Sequence, residues 1–321
     1  MVDALSTVEY VVFIAAIIGN SIFFLFIRYK TDPIMDVYRI LLYYNLFSDV
    51  CLTVFSFFCK PMIVIYDSHA YFLGNSPIQY ETSHFHFIMF LLYIFCFYQP
   101  FVVCPMTYYF RYLAVCEARI LSTAHFLLLA LFWTIVAVGS DCFSAYLSVY
   151  PTEERLTEFH EHVSANTTLL RAIERPFAGL SADKDLRMLT FTLTVGFVIV
   201  SASYILTFTF MHLVTSSFRV RNRGTKWHDI NKQIARVMLV QASVPMLLMA
   251  PGYMLLFQMY TMGAESDFKQ YLMNILMTMA PLVNPYVGVL MVKAYRDQIK
   301  SWFTGTTVTE VFPEERTASN A

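Results

Sequence analysis

The feature that most constrains the fold of this chain is a recurrence of long apolar segments, each of a length that crosses a bilayer as one helix. A helix that spans ~30 Å of hydrocarbon needs ~20 mostly apolar residues. Seven segments meet this requirement, near residues 8–27, 40–65, 85–110, 124–148, 188–213, 234–258 and 270–292. Backbone polar groups in lipid must find their partners within the segment or in a closed barrel. We therefore predict an all-α membrane protein, a seven-transmembrane helix bundle that forms one domain over residues 1–303.

The distribution of basic residues predicts the orientation of this bundle. Among the short loops, 28–39, 111–123 and 214–233 carry Lys and Arg, and the last of them holds five, whereas 67–84 carries none. Basic loops stay on the cytoplasmic side of a membrane. We expect the amino terminus outside and the carboxyl terminus in the cytoplasm. No cleavable signal peptide is expected, because an acidic start runs directly into the first span.

Composition and charge exclude several classes of function. Only 14% of the residues are charged, against about 25% in soluble domains. The net charge of −1 gives no basic field for nucleic acid. Ten glycines without a Walker or Rossmann spacing provide no nucleotide loop, and no nucleophilic or paired-carboxylate site stands out. We expect neither enzymatic activity nor a cofactor.

Histidine and cysteine patterns do not predict a metal site or a disulfide framework. The pairs His84/His86 and His160/His162 are joined by no cysteine and fit solvated or hydrogen-bonded histidines better than metal ligands. The six cysteines lie almost entirely within apolar stretches. An outer domain held by disulfides is therefore not expected.

Three polar residues lie inside spans at matching depth. Asn20, Asp49 and Asn284 each stand about eight or nine residues from the inner end of their span, which is ~12 Å into the membrane. A carboxylate at that depth should face partners within the bundle. We predict that Asp49 meets Asn20 and Asn284, either as packing contacts between helices or as a polar switch that changes partners on activation.

Two further charged residues lie in the outer halves of spans. Lys60 lies near the outer end of the second segment and can extend its ammonium group to the interface, or it can act as a ligand counter-ion. Asp141 in the fourth segment is a candidate partner for Lys60. The spacing alone does not decide between these readings.

The stretch from Arg219 to Phe257 combines a basic loop with a span that contains Gln241, Pro245 and Pro251. Prolines remove helix hydrogen bonds and favour kinks, and spans three and seven carry two prolines each. We predict a cytoplasmic loop followed by a moving helix.

Three motifs carry a resemblance to a known family. Residues 233–245 followed by Pro251 are similar to a span-six signature, 109–112 to a span-three Tyr-Arg-Tyr ending, and 284–296 to a span-seven ending. Together they resemble the nematode seven-transmembrane serpentine chemoreceptors of the Str superfamily, which includes Srd, Str, Srh and Sri, with Srd and then Str the nearest. Rhodopsin-like signatures are incomplete, because Phe110 stands where their acidic residue precedes Arg111.

The resemblance implies a G-protein-coupled chemosensory receptor in the plasma membrane, placed in sensory cilia, whose partners are a small environmental molecule, a heterotrimeric G protein and membrane lipids. A receptor homo- or hetero-oligomer is a further option. We expect the ligand in the outer half of the bundle, lined by Tyr93, Gln99, Tyr253, Gln258 and Asn274. We expect G-protein coupling at Arg111, Tyr112, Arg219, Arg221, Arg223 and Arg236. The alternatives are a transporter or channel and a non-signalling membrane scaffold.

Three features lie outside the spans. Asn166 begins an Asn-Thr-Thr acceptor for N-glycosylation in the predicted outer loop. Residues 293–303 form a predicted amphipathic helix along the membrane, with Trp302 and Phe303 in the interface. The polar tail 304–321 is predicted to be a disordered cytoplasmic segment.

Overall fold

The structure is a computed structural model that describes most of the chain. The described residues are 2–29, 36–59, 61–66, 69–74, 83–117, 122–157, 161, 177–181, 186–220, 239–240, 243–244, 247–248, 251–252, 254–256, 258, 267–291 and 293–304.

Helices account for most of the described chain. They are α1 (Val2–Tyr29), α2 (Asp36–Cys59), α3 (Ser83–Cys116), α4 (Thr123–Trp133), α5 (Gly139–Val149), α6 (Leu186–Val220), α7 (Asp267–Met291) and α8 (Lys293–Thr304). A π-helical turn, Thr134–Val138, joins α4 to α5, so that these two form one span. Helix α6 is therefore the fifth span, and α7 corresponds to the predicted seventh span. The predicted sixth span is described only in short helical pieces between 239 and 258, which carry no helix label.

Five of the described helical stretches are long and apolar enough to cross a membrane, and a shorter apolar helical stretch covers Pro281–Met291 within α7. Large apolar side chains such as Val11 on α1, Leu128 on α4 and Ile205 on α6 are exposed. Packing in lipid does not require such side chains to turn inward, because lipid tails are as apolar as they are. These faces form the surface that a bilayer would cover.

The third span is the centre of the bundle. Within an apolar stretch of 18 residues in each helix, 56% of the stretch is buried in α3 and 22% in α6. Helix α3 packs against α2, α5 and α6, while α1 packs against α2 and α7. The main core cluster accordingly runs along α3, from Phe87 at one end to Phe110 at the other.

A small antiparallel sheet covers one end of the bundle, and it corrects the predicted second span. Strands β1 (Pro61–Tyr66), β2 (His69–Gly74) and β3 (Phe177–Ser181) form it in that order. The prediction extended the second helix to 65, but α2 ends at Cys59. Pro61 explains the end, because helices usually stop at or before the residue that precedes a proline. This end is called the outer end, following the predicted orientation.

Close contacts hold α1 against α7 near the middle of α1 and against α8 near its inner end. A Cβ atom added at Gly19 of α1 would lie 2.8 Å from the ring of Tyr286 on α7, so α1 and α7 can approach only with glycine there. Tyr286 also donates a hydrogen bond to the carbonyl of Ala15, at 3.0 Å. Tyr295 of α8 stacks on Phe26 of α1 with ring centroids 5.1 Å apart.

Candidate functional site

A cavity of about 80 Å³ lies at the outer end of the bundle. Its walls come from α3, α5 and α6, and single residues of the sixth and seventh spans, Leu256 and Met277, complete it. Side chains of the sheet, Ile63 of β1 and Phe72 of β2, also line the cavity and are themselves buried. The cavity therefore touches five spans and the sheet.

One carboxylate faces this otherwise apolar cavity. Asp141, in the first turn of α5, is 2% exposed, and its Oδ1 accepts no hydrogen bond from any described residue. An ionisable group inside a membrane protein is costly and marks a functional site by default. The prediction from sequence singled out Asp141 as an intramembrane charge but did not place it in a ligand site.

Helix α6 approaches the same carboxylate through a glycine. A Cβ atom at Gly196 would overlap the hydroxyl of Tyr98 and would lie 3.4 Å from Asp141 Oδ1. Gly196 is the one glycine in the fifth apolar segment. An isolated glycine inside a helical pattern usually has a packing reason. The isolated glycine is a sequence signal that the prediction did not use. In the structure, α3 and α6 meet at Tyr98 and Gly196, beside the cavity.

Asn274, a predicted ligand residue, is engaged with the sheet. Its Oδ1 accepts from the backbone N–H of Ile63 at 3.2 Å, and its Nδ2 donates to the carbonyl of Ile63 at 3.3 Å. Asn274 is buried. Its amide thus joins α7 to β1, and it is not among the described residues that line the cavity.

The other predicted ligand residues have different surroundings. Tyr93 is buried and lines the cavity. Gln99 is buried next to the π-helical turn, where Thr134 Oγ1 donates to its Oε1 at 3.4 Å, and it is not among the described lining residues. Gln258 is partly exposed, and Tyr253 lies outside the described residues.

The structure brings together two of the three polar residues predicted at matching depth. Asn284 Nδ2 donates a hydrogen bond of 2.9 Å to Asp49 Oδ1. Asn20 instead donates to the carbonyl of Ala16 in its own helix, at 3.0 Å. The Oδ1 atoms of Asn20 and Asn284 accept no hydrogen bond from any described residue. A buried acceptor left in that state costs about 1–3 kcal/mol.

At the inner end, the predicted coupling residues of α3 lie in packed surroundings. Arg111 is fully buried. Tyr112 is partly buried, and its ring centroid lies 5.9 Å from that of Phe210 on α6. One turn further, Cys116 Sγ donates to Ser217 Oγ at 3.1 Å. Helices α3 and α6 are therefore in contact at their inner ends, and Arg111 would have to be uncovered before it could contact a partner protein.

Several predicted residues cannot be placed. Arg221, Arg223, Arg236, Gln241, Pro245, Asn166, Lys60, His160 and His162 lie outside the described residues, as does the tail from 305 onward. The side chains of Arg219, Trp302 and Phe303 are also outside them, although their backbones are helical. Pro251 is helical and exposed.

The described histidines and cysteines show ordinary contacts. His84 stacks on Tyr150 and lies within hydrogen-bonding distance of its hydroxyl, at 3.1 Å. All six cysteines are free. No group of three or more metal-ligating side chains occurs within the described part of the chain.

The comparisons with known proteins point to one receptor family. A family model described as "Serpentine type 7TM GPCR chemoreceptor Srd" matches residues 5–301. The fold is similar to the crystal structure of squid rhodopsin, with a TM-score of 0.60 and 10% identity over 94% of this chain and 85% of that chain. No curated protein matches the sequence. Nothing in these matches favours a transporter or channel.

Proposed function

Because this chain belongs to the Srd family of serpentine seven-transmembrane G-protein-coupled chemoreceptors, we propose that it binds a small organic molecule in the outer cavity and signals to a heterotrimeric G protein at the inner end. The family match confirms the predicted seven-transmembrane receptor and its resemblance to the Srd chemoreceptors. The family is one of receptors, and we propose no enzymatic activity.

The observation that carries this proposal is the position of the outer cavity. Helices α3 and α6 both line it, through Tyr98 and Leu193 among others. The same two helices are in contact at the inner end through Cys116 and Ser217. From Tyr98 to Arg111 is ~20 Å along α3, at ~1.5 Å per residue. A ligand that changes the packing of α3 against α6 therefore acts on two helices that reach the inner end.

We propose that the ligand shifts a population of two arrangements. In the arrangement of this structure Arg111 is buried. In the other, the sixth span moves outward and opens a crevice that includes Arg111, Tyr112 and the basic residues Arg219, Arg221, Arg223 and Arg236. Positive charge in that crevice would also attract anionic lipids of the inner leaflet.

The test is a panel of small organic molecules on cells that express the chain with a G-protein readout. We expect at least one molecule to give a response that Ala145→Leu reduces at least tenfold, because this residue lines the cavity. Ala202→Leu, the same change at an exposed position of α6, should leave the response unchanged. A response that both variants keep would place the ligand elsewhere.

The coupling side is tested separately. Replacing Arg219, Arg221 and Arg223 with glutamine should abolish signalling while leaving surface display intact. An unchanged agonist response would show that these residues serve topology and lipid attraction only.

For localisation we propose the plasma membrane and sensory cilia, and we propose a glycan on Asn166. Glycosidase treatment of wild type and Asn166→Gln would detect this glycan as a loss of mass in wild type alone.

A further inference from the structure

The chemistry of the outer cavity narrows the class of ligand that it can hold. Asp141 is the only charged side chain among the described residues that line it. Removing a carboxylate from water costs several kcal/mol unless a counter-charge or hydrogen bonds compensate. The Oδ1 of Asp141 receives no such hydrogen bond from the described residues, although it is almost fully buried. A cationic ligand would supply the missing compensation.

Aromatic rings form the wall next to this carboxylate. Phe72 and Phe90 lie with ring centroids 5.2 Å apart, and the rings of Tyr93, Phe97 and Tyr98 follow along α3 at 5.7 and 5.5 Å. All five line the cavity. The face of an aromatic ring attracts a cation placed within about 6 Å of its centroid. A carboxylate together with a set of aromatic rings is the combination that recognises an organic ammonium ion.

The size of the cavity limits the ligand further. Its volume is about 80 Å³, whereas an engineered apolar cavity that binds benzene measures about 150 Å³. The part of a ligand that the cavity encloses therefore has only a few non-hydrogen atoms. The lining is mostly apolar and therefore favours a hydrocarbon for the rest of the ligand.

We propose that the outer cavity binds small alkylammonium ions, with the ammonium group on Asp141 and the alkyl chain against the aromatic wall. This inference rests on the proposed function, since it names the ligand class of the same cavity. Alkylamines, like the lysine side chain, are protonated at neutral pH. The corresponding alcohols have nearly the same shape and no charge, so they are the matched probes.

The competing explanation is that Asp141 is neutralised by an ion pair within the protein. Lys60, which lies outside the described residues, would neutralise Asp141 and leave no need for a cationic ligand. In that case amines would bind only after Lys60→Met, and wild type would not distinguish an amine from an alcohol.

The experiment measures the thermal unfolding of the purified full chain in lipid nanodiscs against increasing propylamine and, separately, propan-1-ol, at constant ionic strength. A ligand that binds the folded state raises the unfolding temperature with a saturable dependence on concentration. We expect half-saturation by propylamine at a concentration at least tenfold lower than by propan-1-ol. Asp141→Asn should remove this difference and Asp141→Glu should keep most of it. Glu153→Gln changes an exposed carboxylate and should have no effect.

Three results would overturn the proposal: equal stabilisation of wild type by the amine and the alcohol, an unchanged preference in Asp141→Asn, or an amine effect that requires Lys60→Met. The wild-type comparison stands even if Asp141→Asn does not fold. Because binding is measured without a G protein, a failure here is distinct from a failure of the proposed signalling function.

Discussion

The side-chain amide of Asn274 satisfies both backbone polar groups of Ile63, although the two residues are 211 positions apart in the chain. Strand β1 is an edge of the sheet, and an edge strand presents N–H and C=O groups that the sheet itself does not pair. Asn274 supplies a partner for each of them at Ile63. Because Ile63 also lines the cavity, this contact fixes the sheet over the cavity and ties it to α7.

We expect Asn274→Ala to loosen the sheet. It leaves two buried backbone groups of Ile63 without this partner, at a cost of about 1–3 kcal/mol for each. Hydrogen exchange of residues 61–66, followed by mass spectrometry, should become faster than in wild type. Asn274→Asp keeps an acceptor for the Ile63 N–H and should give an intermediate rate. Gln258→Ala, at a partly exposed amide, is the control. Equal exchange in Asn274→Ala and wild type would contradict the role assigned to this amide.

The contact between Gly196 and Tyr98 leads to a second prediction. Gly196→Ala should lower stability by about 1–3 kcal/mol, because the added methyl group overlaps the Tyr98 hydroxyl. Tyr98→Phe removes that hydroxyl and should restore part of the loss when combined with Gly196→Ala. The control is Gly139→Ala, where nothing lies within 4 Å of the new Cβ atom. Thermal unfolding in detergent measures all four proteins, and a Gly196→Ala variant as stable as wild type would refute the packing argument.

The hydrogen bond between Asp49 and Asn284 leads to a third prediction. A double-mutant cycle with Asp49→Ala and Asn284→Ala should give an interaction energy of about 0.5–3 kcal/mol. The same cycle with Asn20→Ala should be nearly additive, since the Asn20 amide bonds to its own helix. We also expect Asp49→Ala to impair signalling or surface display. If it changed neither, the cluster would be neither a switch nor a packing element.

The contact between Cys116 and Ser217 allows a test of helix movement. Their Sγ and Oγ atoms are 3.1 Å apart, so Ser217→Cys should form a disulfide with Cys116 under oxidising conditions. We predict that this bond blocks signalling and that a reductant restores it, because a bond between the inner ends of α3 and α6, the third and fifth spans, would hold them in the packing that keeps Arg111 buried. Ser216→Cys is the control, because Ser217 and not its neighbour Ser216 accepts the hydrogen bond from Cys116, and it should signal with or without reductant. An oxidised Ser217→Cys variant that signals normally would show that these ends stay together.

The described spans were predictable because hydropathy over ~20 residues is a strong signal in lipid. The sheet was not predicted. Residues 61–65 are apolar, and a short apolar run does not distinguish a strand from the end of a helix. Strand β3 pairs with β2 across more than a hundred residues, a contact that no local pattern contains.

For individual residues, depth was predictable and rotation about the helix axis was not. Matching depth correctly paired Asp49 with Asn284, but the same argument placed Asn20 with them, and its amide bonds to Ala16 instead. Gln99 and Asn274 have the expected depth for a ligand site, yet Gln99 bonds to Thr134 and Asn274 to Ile63. The ligand roles predicted for Tyr93, Gln99, Tyr253, Gln258 and Asn274 stay predictions.

The central claim is that a ligand in the outer cavity controls nucleotide exchange on a G protein at the inner end. The most direct measurement is ligand-dependent exchange on a purified heterotrimeric G protein by the chain in lipid nanodiscs, using a ligand that activates it in cells. Wild type and Ala202→Leu should stimulate exchange equally, and Ala145→Leu, which fills the cavity, should need at least about tenfold more ligand. Equal ligand sensitivity of Ala145→Leu and Ala202→Leu would contradict this claim.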